Sequence, residues 1–369
     1  MSKKISMLLA LFSVVIECEN VMAGENSIYG INVADSVDDM QKIIDQLTTM
    51  KTFDAKKTIG IFDEDNTLVY RYGPEVGNGD MKQWSQLALK ILCFDKKNPN
   101  NIGKWKQTYY RNHIKLLVEQ KLPEFVKGLQ DKGIRCAVLT SKLNEDLGID
   151  TEGNKTSAHE IYDKEHKNFK LDFKIGWNSI PSTKLNEKSK NQFPDFIDGV
   201  IYAGKSQKVD TYKRHNKVVA LHKFLKYACN HNQLNDLDTI IAIDDRKTEL
   251  NALQEYAHAQ RCQFIGILFQ GYTKFPQPQE FDVQYETERL ERLKNNNEWL
   301  LPKGALELFY KDENGLWHLK ENSTFSLDST MPSMENEVIS KSLKPHGKID
   351  LNSDKSLLTL RQSPWEVTP

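Results

Sequence analysis

The chain has 369 residues, enough for one α/β domain with an inserted cap or for two domains. Its 50 lysines and arginines balance 51 aspartates and glutamates. The chain as a whole is therefore not attracted to polyanions, and we expect no nucleic-acid partner; a local basic patch stays open.

The first residues have the pattern of an export signal. Lys3 and Lys4 precede an apolar run over residues 5–16, and small residues follow around Ala23. This order predicts a signal peptide over residues 1–23, with a buried N-terminal helix as the alternative. The apolar run is too short to span a bilayer comfortably. We expect a periplasmic or secreted protein that has no stable membrane span after cleavage.

Four cysteines follow the predicted cleavage point, namely Cys93, Cys136, Cys229 and Cys262. None belongs to a CxxC pair of the kind that binds zinc or transfers electrons. An oxidising compartment permits two disulfides among them, and their pairing stays open. Cys136 lies in an apolar run, which favours a buried hydrophobic role over a bridge or a nucleophile.

Helical patterns and apolar runs alternate through the middle of the chain. The spacing of apolar residues predicts a helix over residues 36–50. Strands are predicted for five apolar runs, at residues 58–62, 134–139, 199–202, 239–243 and 264–269. Further helices are predicted before the second strand, from Lys217 onwards and after Asp245. This alternation predicts an α/β fold with a Rossmann-like parallel sheet flanked by helices.

Two long connections interrupt the strands. Residues 70–133 are predicted to form a mainly helical cap, with helices over residues 83–91 and 109–120. Residues 142–198 form a polar insertion. The cap carries a group of side chains that either line an entrance or, as is more usual, form the interior of the cap: Trp84, Trp105, Tyr109, Tyr110 and Arg111.

The remaining residues fall into a core and an extension. The α/β core comprises residues 24–69 and 134–300, including the polar insertion. Residues 301–369 form a C-terminal extension, and their polar composition from about residue 323 predicts a flexible tail.

The first candidate functional motif follows the strand at residues 58–62. Asp63 and Asp65 stand two positions apart and Thr67 follows. Paired carboxylates of this kind suit a hard cation, or a nucleophile with an acid–base partner. A solvated loop or a calcium loop would be the alternative, but an EF-hand-type calcium loop needs a glycine and a glutamate where this chain has Leu68 and Pro74.

Two further candidates are weaker when each is taken alone. Thr140 and Ser141 end the second predicted strand, where a hydroxyl can bind a phosphate oxygen or simply cap a turn. Lys217 begins an amphipathic helix, where its ammonium can neutralise phosphate. Lys205 is the competing lysine, and either can also be solvated.

The fourth motif is the adjacent pair Asp244 and Asp245, which closes a wholly apolar strand. Adjacent buried carboxylates repel each other, so such a pair implies a cation or strong hydrogen bonds. Capping of the following helix is the alternative, and it is compatible with metal binding. The carboxyl ends of parallel strands, where all four motifs are predicted, form the ligand-binding edge of such sheets.

The order of the four motifs resembles that of the haloacid-dehalogenase-like (HAD) phosphatases, over roughly residues 58–270. The resemblance implies that Asp63 is a nucleophile forming an aspartyl-phosphate and that Asp65 is the general acid and base. It implies that Thr140, Ser141 and Lys217 bind the phosphoryl group. It also implies Mg²⁺, bound by Asp63, by Asp65 through its backbone carbonyl, and by Asp244 or Asp245.

These features predict an exported Mg²⁺-dependent phosphatase, similar to secreted bacterial HAD-like proteins. Its substrate would be a phosphorylated small molecule or a phosphoprotein, and a phosphotransferase would differ only in the acceptor. The alternative is a binding or effector protein on the same scaffold, which acts through its insertion and C-terminal tail with weak or no turnover.

Overall fold

The computed structural model of the protein describes residues 28–74, 81–92, 99–144, 146–149, 155–177, 179–184, 194–204, 216–231, 234, 236–276 and 281–321. The strands within these residues are β1 (Gly30–Ala34), β2 (Thr58–Phe62), β3 (Val69–Tyr72), β4 (Ile114–Leu117), β5 (Arg135–Thr140), β6 (Asp146–Ile149), β7 (Lys155–Ser157), β8 (Thr183–Lys184), β9 (Asp195–Ile197), β10 (Val200–Tyr202), β11 (Thr239–Asp244), β12 (Gln263–Phe269), β13 (Phe309–Lys311) and β14 (Trp317–Leu319). The helices are α1 (Val37–Thr48), α2 (Met81–Leu92), α3 (Pro99–Asn112), α4 (Leu122–Asp131), α5 (Ala158–Asn168), α6 (Asn216–Asn230), α7 (Lys247–Ala259), α8 (Val283–Asn296) and α9 (Ala305–Leu308).

The described residues form a central sheet of eight strands in the order β1, β12, β11, β2, β5, β10, β9, β8. In this spatial order, the six strands from β1 to β10 pair parallel with their neighbours. At the edge of the sheet, β9 pairs antiparallel with β10, and β8 pairs antiparallel with β9. All five predicted strands belong to this sheet. The prediction of an α/β fold with a mainly parallel sheet flanked by helices is therefore confirmed.

The residues of β2 alternate between two hydrophobic clusters, one on each face of the sheet. Ile59 and Ile61 belong to the cluster that includes the buried faces of α6 and α7. Phe62 belongs to the cluster that includes the buried faces of α1 and α4. Every residue of β2 and β11 is buried, as expected for central parallel strands that helices cover on both sides.

The predicted helix over residues 109–120 is wrong in its second half. Helix α3 ends at Asn112, and the next residues form β4, which pairs antiparallel with β3. Ile114, Leu116 and Leu117 are buried. Their partner strand lies more than forty positions earlier in the chain, and this long-range pairing overrides the local helical pattern. The paired strands β3 and β4 thus lie at the two ends of the segment that contains α2 and α3.

The segment predicted as a cap also contains α4, which packs on the sheet. Its buried residues Phe125, Val126 and Leu129 belong to the same cluster as Phe62. The polar insertion contains β6, β7, α5, β8 and β9. Helix α5 begins with a capping box, in which Ser157 accepts a hydrogen bond from the backbone of Glu160 while the Glu160 carboxylate accepts one from the backbone of Ser157.

Several predictions concern residues outside the described part of the chain. These are the signal peptide, Cys93, Lys205 and the tail from residue 323. Within the described part, Cys136, Cys229 and Cys262 are free thiols, and Cys136 is fully buried as predicted. None of the helices in the described residues is both long and apolar enough to cross a membrane.

A two-residue turn at Asp198 and Gly199 joins β9 to β10. Both residues have positive φ, 50° at Asp198 and 84° at Gly199, as a tight turn of type I′ requires. A Cβ atom at Gly199 would overlap the carbonyl oxygen of Phe173. By contrast, nothing lies within 4 Å of a Cβ atom at Gly128, in the middle of α4.

We predict opposite effects for the two corresponding alanine substitutions. Gly199→Ala should lower the free energy of unfolding by more than about 2 kcal/mol, because the turn and Phe173 must both shift. Gly128→Ala should raise it by about 0.5–1 kcal/mol, because alanine favours a helix interior. Urea denaturation measures both values, and a Gly199→Ala variant as stable as the wild type would contradict the described turn.

Candidate functional site

Three carboxylates lie side by side at the carboxyl edge of the central sheet. Asp63 directly follows β2, Asp244 is the last residue of β11, and Asp245 comes next. The two strands are parallel neighbours with Phe62 opposite Ile243, and the backbone N–H of Asp63 donates to the carbonyl of Ile243 at 2.9 Å. The register of β2 on β11 therefore places the first and fourth motifs together.

Lys217 links two of these carboxylates. It extends from α6, and its Nζ lies 2.7 Å from Asp63 Oδ1 and 2.6 Å from Asp244 Oδ2. The side chain is almost fully buried. Burial works against the ammonium, but Asp63 and Asp244 more than offset it and raise the pKa of Lys217. The structure thus brings the predicted lysine to the predicted nucleophile, whereas Lys205 lies outside the described residues.

The three carboxylates could hold a cation. Asp63, Asp244 and Asp245 each offer an oxygen within 4.8 Å of the others. Asp244 Oδ2 accepts from Lys217, and its Oδ1 accepts from the backbone of Arg246 at 2.9 Å. Asp245 Oδ2 accepts from Asn66 at 3.2 Å, while its Oδ1 is buried and has no hydrogen-bond partner among the described residues. A buried carboxylate oxygen of this kind fits a hard cation such as Mg²⁺ or Ca²⁺.

Crowding of negative charge perturbs the acidity of the cluster. Burial, together with the neighbouring charge of Asp244, raises the pKa of Asp63 even though Lys217 opposes the shift. Burial and the charges of Asp63 and Asp244 raise the pKa of Asp245 from its ordinary 3.8 to about 7. A bound cation would reverse this tendency, because it favours the ionised carboxylates.

Asp65 points to different partners from Asp63. The chain does not stay extended after β2 but turns, with Asn66 at φ 64° and the backbone N–H of Leu68 donating to Glu64. The Asp65 carboxylate forms ion pairs with Arg71 and with Lys142, whose Nζ lies 2.9 Å from Asp65 Oδ1. Its side chain remains about half exposed, at 49%. The two aspartates of the first motif therefore occupy distinct environments.

The predicted hydroxyl residues end β5, the strand next to β2. Thr140 is buried, and its Oγ1 accepts from the backbone of Lys142 at 3.2 Å. Ser141 is exposed. Because β2 and β5 are parallel with Phe62 opposite Val138, Thr140 lies at the same edge of the sheet as Asp63.

A second buried group of charges lies beside the first, and the sequence patterns did not reveal it. We call it the inner charge cluster; it comprises Glu64, Arg71, Lys115, Lys142 and Glu165. Arg71 lies 3.0 Å from Glu64 and 2.6 Å from Glu165, Lys142 lies 3.0 Å from Glu64, and Lys115 lies 2.5 Å from Glu165. The sequence signal for it is Arg71 in β3 and Lys115 in β4, one charged residue in each of two otherwise largely apolar strands. Such residues are rarely buried unless they are paired with an opposite charge.

The inner charge cluster keeps its charges by mutual pairing. Burial alone would raise the pKa of Glu64, but Lys142 and Arg71 lower it well below its ordinary range. Burial and the neighbouring Arg71 lower the pKa of Lys142 to about 8. Glu64 stands between Asp63 and Asp65 in the chain, so the loop after β2 connects the two groups of charges.

The aromatic residues of the predicted cap contact one another. Trp84 stacks on Tyr109 with ring centroids 5.7 Å apart, and Tyr109 meets Tyr110 edge to face at 5.2 Å. Trp105 is buried, and Trp84 donates a hydrogen bond to Glu286 of α8. These rings hold α2 and α3 together and against α8, in agreement with the view that they form an interior.

Comparison with known proteins gives a family. A family model described as a protein of unknown function (DUF2608) matches residues 35–300. The chain belongs to this family. No curated protein and no solved structure matches it. The DUF2608 match includes all three carboxylates, Lys217 and the inner charge cluster, but its description names no activity, so function has to be argued from the geometry.

We predict that Asp245→Asn stabilises the protein at alkaline pH when no divalent cation is present. The pKa of Asp245 is higher in the folded than in the unfolded chain, so its contribution to stability falls as the pH rises from about 4 to 7 and stays low above that. At pH 8 the variant should gain on the order of 2 kcal/mol in the free energy of unfolding, and near pH 4 the gain should vanish.

The measurement is urea denaturation in EDTA across this pH range. Asp236→Asn, at an exposed carboxylate, serves as the control and should change little. Added MgCl₂ should stabilise the wild type more than Asp245→Asn, because the variant has lost a ligand. A gain for Asp245→Asn that is the same at pH 4 and pH 8 would contradict the assignment.

Proposed function

We propose that the chain is a Mg²⁺-dependent phosphatase that hydrolyses a phosphomonoester through an aspartyl-phosphate on Asp63. One observation carries this proposal: a buried carboxylate at the end of a central strand lies within hydrogen-bond distance of a buried lysine and beside two further carboxylates. A carboxylate can attack an anionic phosphate only where positive charge screens both groups. Lys217 supplies one such charge, and the three carboxylates fit the cation that would supply another.

The proposed first step transfers the phosphoryl group to Asp63. Its carboxylate oxygen attacks phosphorus while the bond to the ester oxygen breaks, and Asp65 gives its proton to the departing alcohol. In the second step Asp65, now a carboxylate, takes a proton from water as the water oxygen attacks phosphorus. The bond to Asp63 breaks and inorganic phosphate leaves.

Lys217, Thr140 and Ser141 would hold the phosphoryl oxygens. The ammonium of Lys217 already lies 2.7 Å from the attacking carboxylate, so a phosphoryl group bound to Asp63 would remain within its reach. Bound Mg²⁺ would screen the negative charge of the phosphate and of the nucleophile. Asp63, the backbone carbonyl of Asp65, and Asp245 would hold it, since one buried oxygen of Asp245 accepts no hydrogen bond from the described residues and lies 3.7 Å from Arg246 Nε, while both oxygens of Asp244 accept hydrogen bonds.

Asp65 has to exchange partners to act as the general acid and base. Its carboxylate is paired with Arg71 and Lys142, and it would turn from these cations towards the ester oxygen when substrate binds. Its half-exposed side chain leaves room for that rotation. The proposed substrate is a phosphorylated small molecule or a phosphoprotein outside the cytoplasm, in keeping with the predicted export signal and the absence of an overall positive charge.

We predict that the purified protein hydrolyses an aryl phosphate in MgCl₂ and that EDTA abolishes this activity. Asp63→Asn should lower kcat at least about a thousandfold, because an amide cannot replace the attacking carboxylate. Asp236→Asn, at an exposed carboxylate before the amino end of β11 and so away from the carboxyl edge of the sheet, is the matched control and should retain full activity. Wild-type activity no greater than that of Asp63→Asn would rule out the proposed enzyme.

Comparison of two substrates in the same assay tests whether Asp65 protonates the leaving group. Asp65→Asn should lower kcat for an alkyl phosphate by about 10² to 10⁴. The loss should be much smaller for an aryl phosphate with an acidic phenol, whose oxygen leaves without protonation. Equal losses on both substrates would exclude Asp65 as the acid.

The alternative is a binding or effector protein with weak or no turnover. The ion pairs of Asp65 with Arg71 and Lys142 favour it, because they hold the would-be acid away from a substrate. The two functions differ in a simple respect: a binding protein would show the same residual hydrolysis with and without Asp63.

A further inference from the structure

A cavity lies apart from the carboxylate site. It measures about 650 Å³ and is lined by the end of α3, by β4, by α5 with the preceding strand β7, and by the β13–β14 hairpin. None of Asp63, Lys217, Asp244 and Asp245 lines it. This volume falls within the range of small-molecule sites.

Positive charge dominates the lining of this cavity. Five cationic side chains reach it from five different elements: Arg111 of α3, Lys115 of β4, Lys155 of β7, Lys164 of α5 and Lys311 of β13. Two carboxylates also line it, Glu160 and Glu165. The described lining therefore carries an excess of three positive charges when histidine is neutral.

Both carboxylates are already engaged. Glu160 Oε2 accepts the hydrogen bond from the backbone of Ser157 that closes the capping box, at 2.9 Å. Glu165 lies in the inner charge cluster, with Oε1 2.6 Å from Arg71 and Oε2 2.5 Å from Lys115. Among the described residues, neither forms an ion pair with Lys155 or Lys164.

Lys155 and Lys164 are both exposed, and within the described ranges no carboxylate forms an ion pair with either of them. In the β13–β14 hairpin, Lys311 Nζ lies over the ring of Trp317 at 5.6 Å from its centroid. Clustered like charges without counter-charges repel each other, and an anion among them relieves that repulsion.

We propose that this cavity binds a small anion that carries two or more phosphate groups. The five cations come from five elements that line a cavity of about 650 Å³, more room than a single phosphate fills. The carboxamides of Asn168 and Asn314 also line it and can donate hydrogen bonds to phosphate oxygens. Binding here does not depend on the phosphatase proposed for Asp63.

Calorimetric titration of the full chain with tripolyphosphate in EDTA tests the proposal. We expect binding at one site per chain. Lys155→Gln and Lys164→Gln should each weaken it about tenfold, because each removes a charge-assisted hydrogen bond. Both side chains are exposed, so both variants should fold. Lys51→Gln, at an exposed lysine in a turn far from the cavity in the sequence, is the matched control and should bind as the wild type does.

Inorganic phosphate in the same titration should bind at least about tenfold more weakly than tripolyphosphate. Equal affinity for the two anions would overturn the requirement for more than one phosphate group. An absence of tripolyphosphate binding, or binding that neither cavity variant weakens, would overturn the site itself. None of these results depends on hydrolysis, so failure here and failure of the proposed phosphatase are separable.

Discussion

The ammonium of Lys217 lies between Asp63 and Asp244, and the geometry of the candidate site depends on this contact. Parallel pairing of β2 with β11 forces acidic residues together at the carboxyl edge of the sheet, where burial and neighbouring negative charge disfavour the ionised forms of Asp63 and Asp245. Lys217 and Arg246, whose Nε lies 3.8 Å from Asp244 and 3.7 Å from Asp245, supply two positive charges against three carboxylates. The remaining negative charge, with an Asp245 oxygen that has no hydrogen-bond partner among the described residues, is the physical reason to expect a cation there.

The inner charge cluster gives the loop after β2 its shape. Glu64 turns inward to Arg71 and Lys142, while the flanking Asp63 faces Lys217. Arg71 of β3 and Lys142, which follows β5, also bind Asp65, so these two cations position both Glu64 and Asp65. Glu165 and Lys115 of this cluster also line the cavity of the proposed anion site. That site and the proposed catalytic loop therefore share a chain of ion pairs.

The sequence predicted the elements that depend on local pattern. Strands β2 and β11 each carry a continuous run of apolar residues or glycine after an initial threonine, and a carboxylate follows that run, so they were placed within a residue of their observed ends. The candidate residues on them, Asp63, Asp244 and Asp245, followed from that placement. Strand β4 was predicted as helix because its partner β3 is distant in the chain, and the inner charge cluster was missed because its members come from five separate segments. Contacts between residues so far apart in the chain cannot be detected from the local spacing of apolar residues.

A crystal structure of the protein grown with Mg²⁺ and beryllium fluoride would test the central claim most directly, because beryllium fluoride bonds to a carboxylate as a phosphoryl group does. The account predicts a fluoroberyllate on the carboxylate of Asp63, with Lys217 contacting a fluorine and Mg²⁺ coordinated by Asp63 and Asp245. A fluoroberyllate on another residue, or Mg²⁺ bound away from these carboxylates, would contradict it.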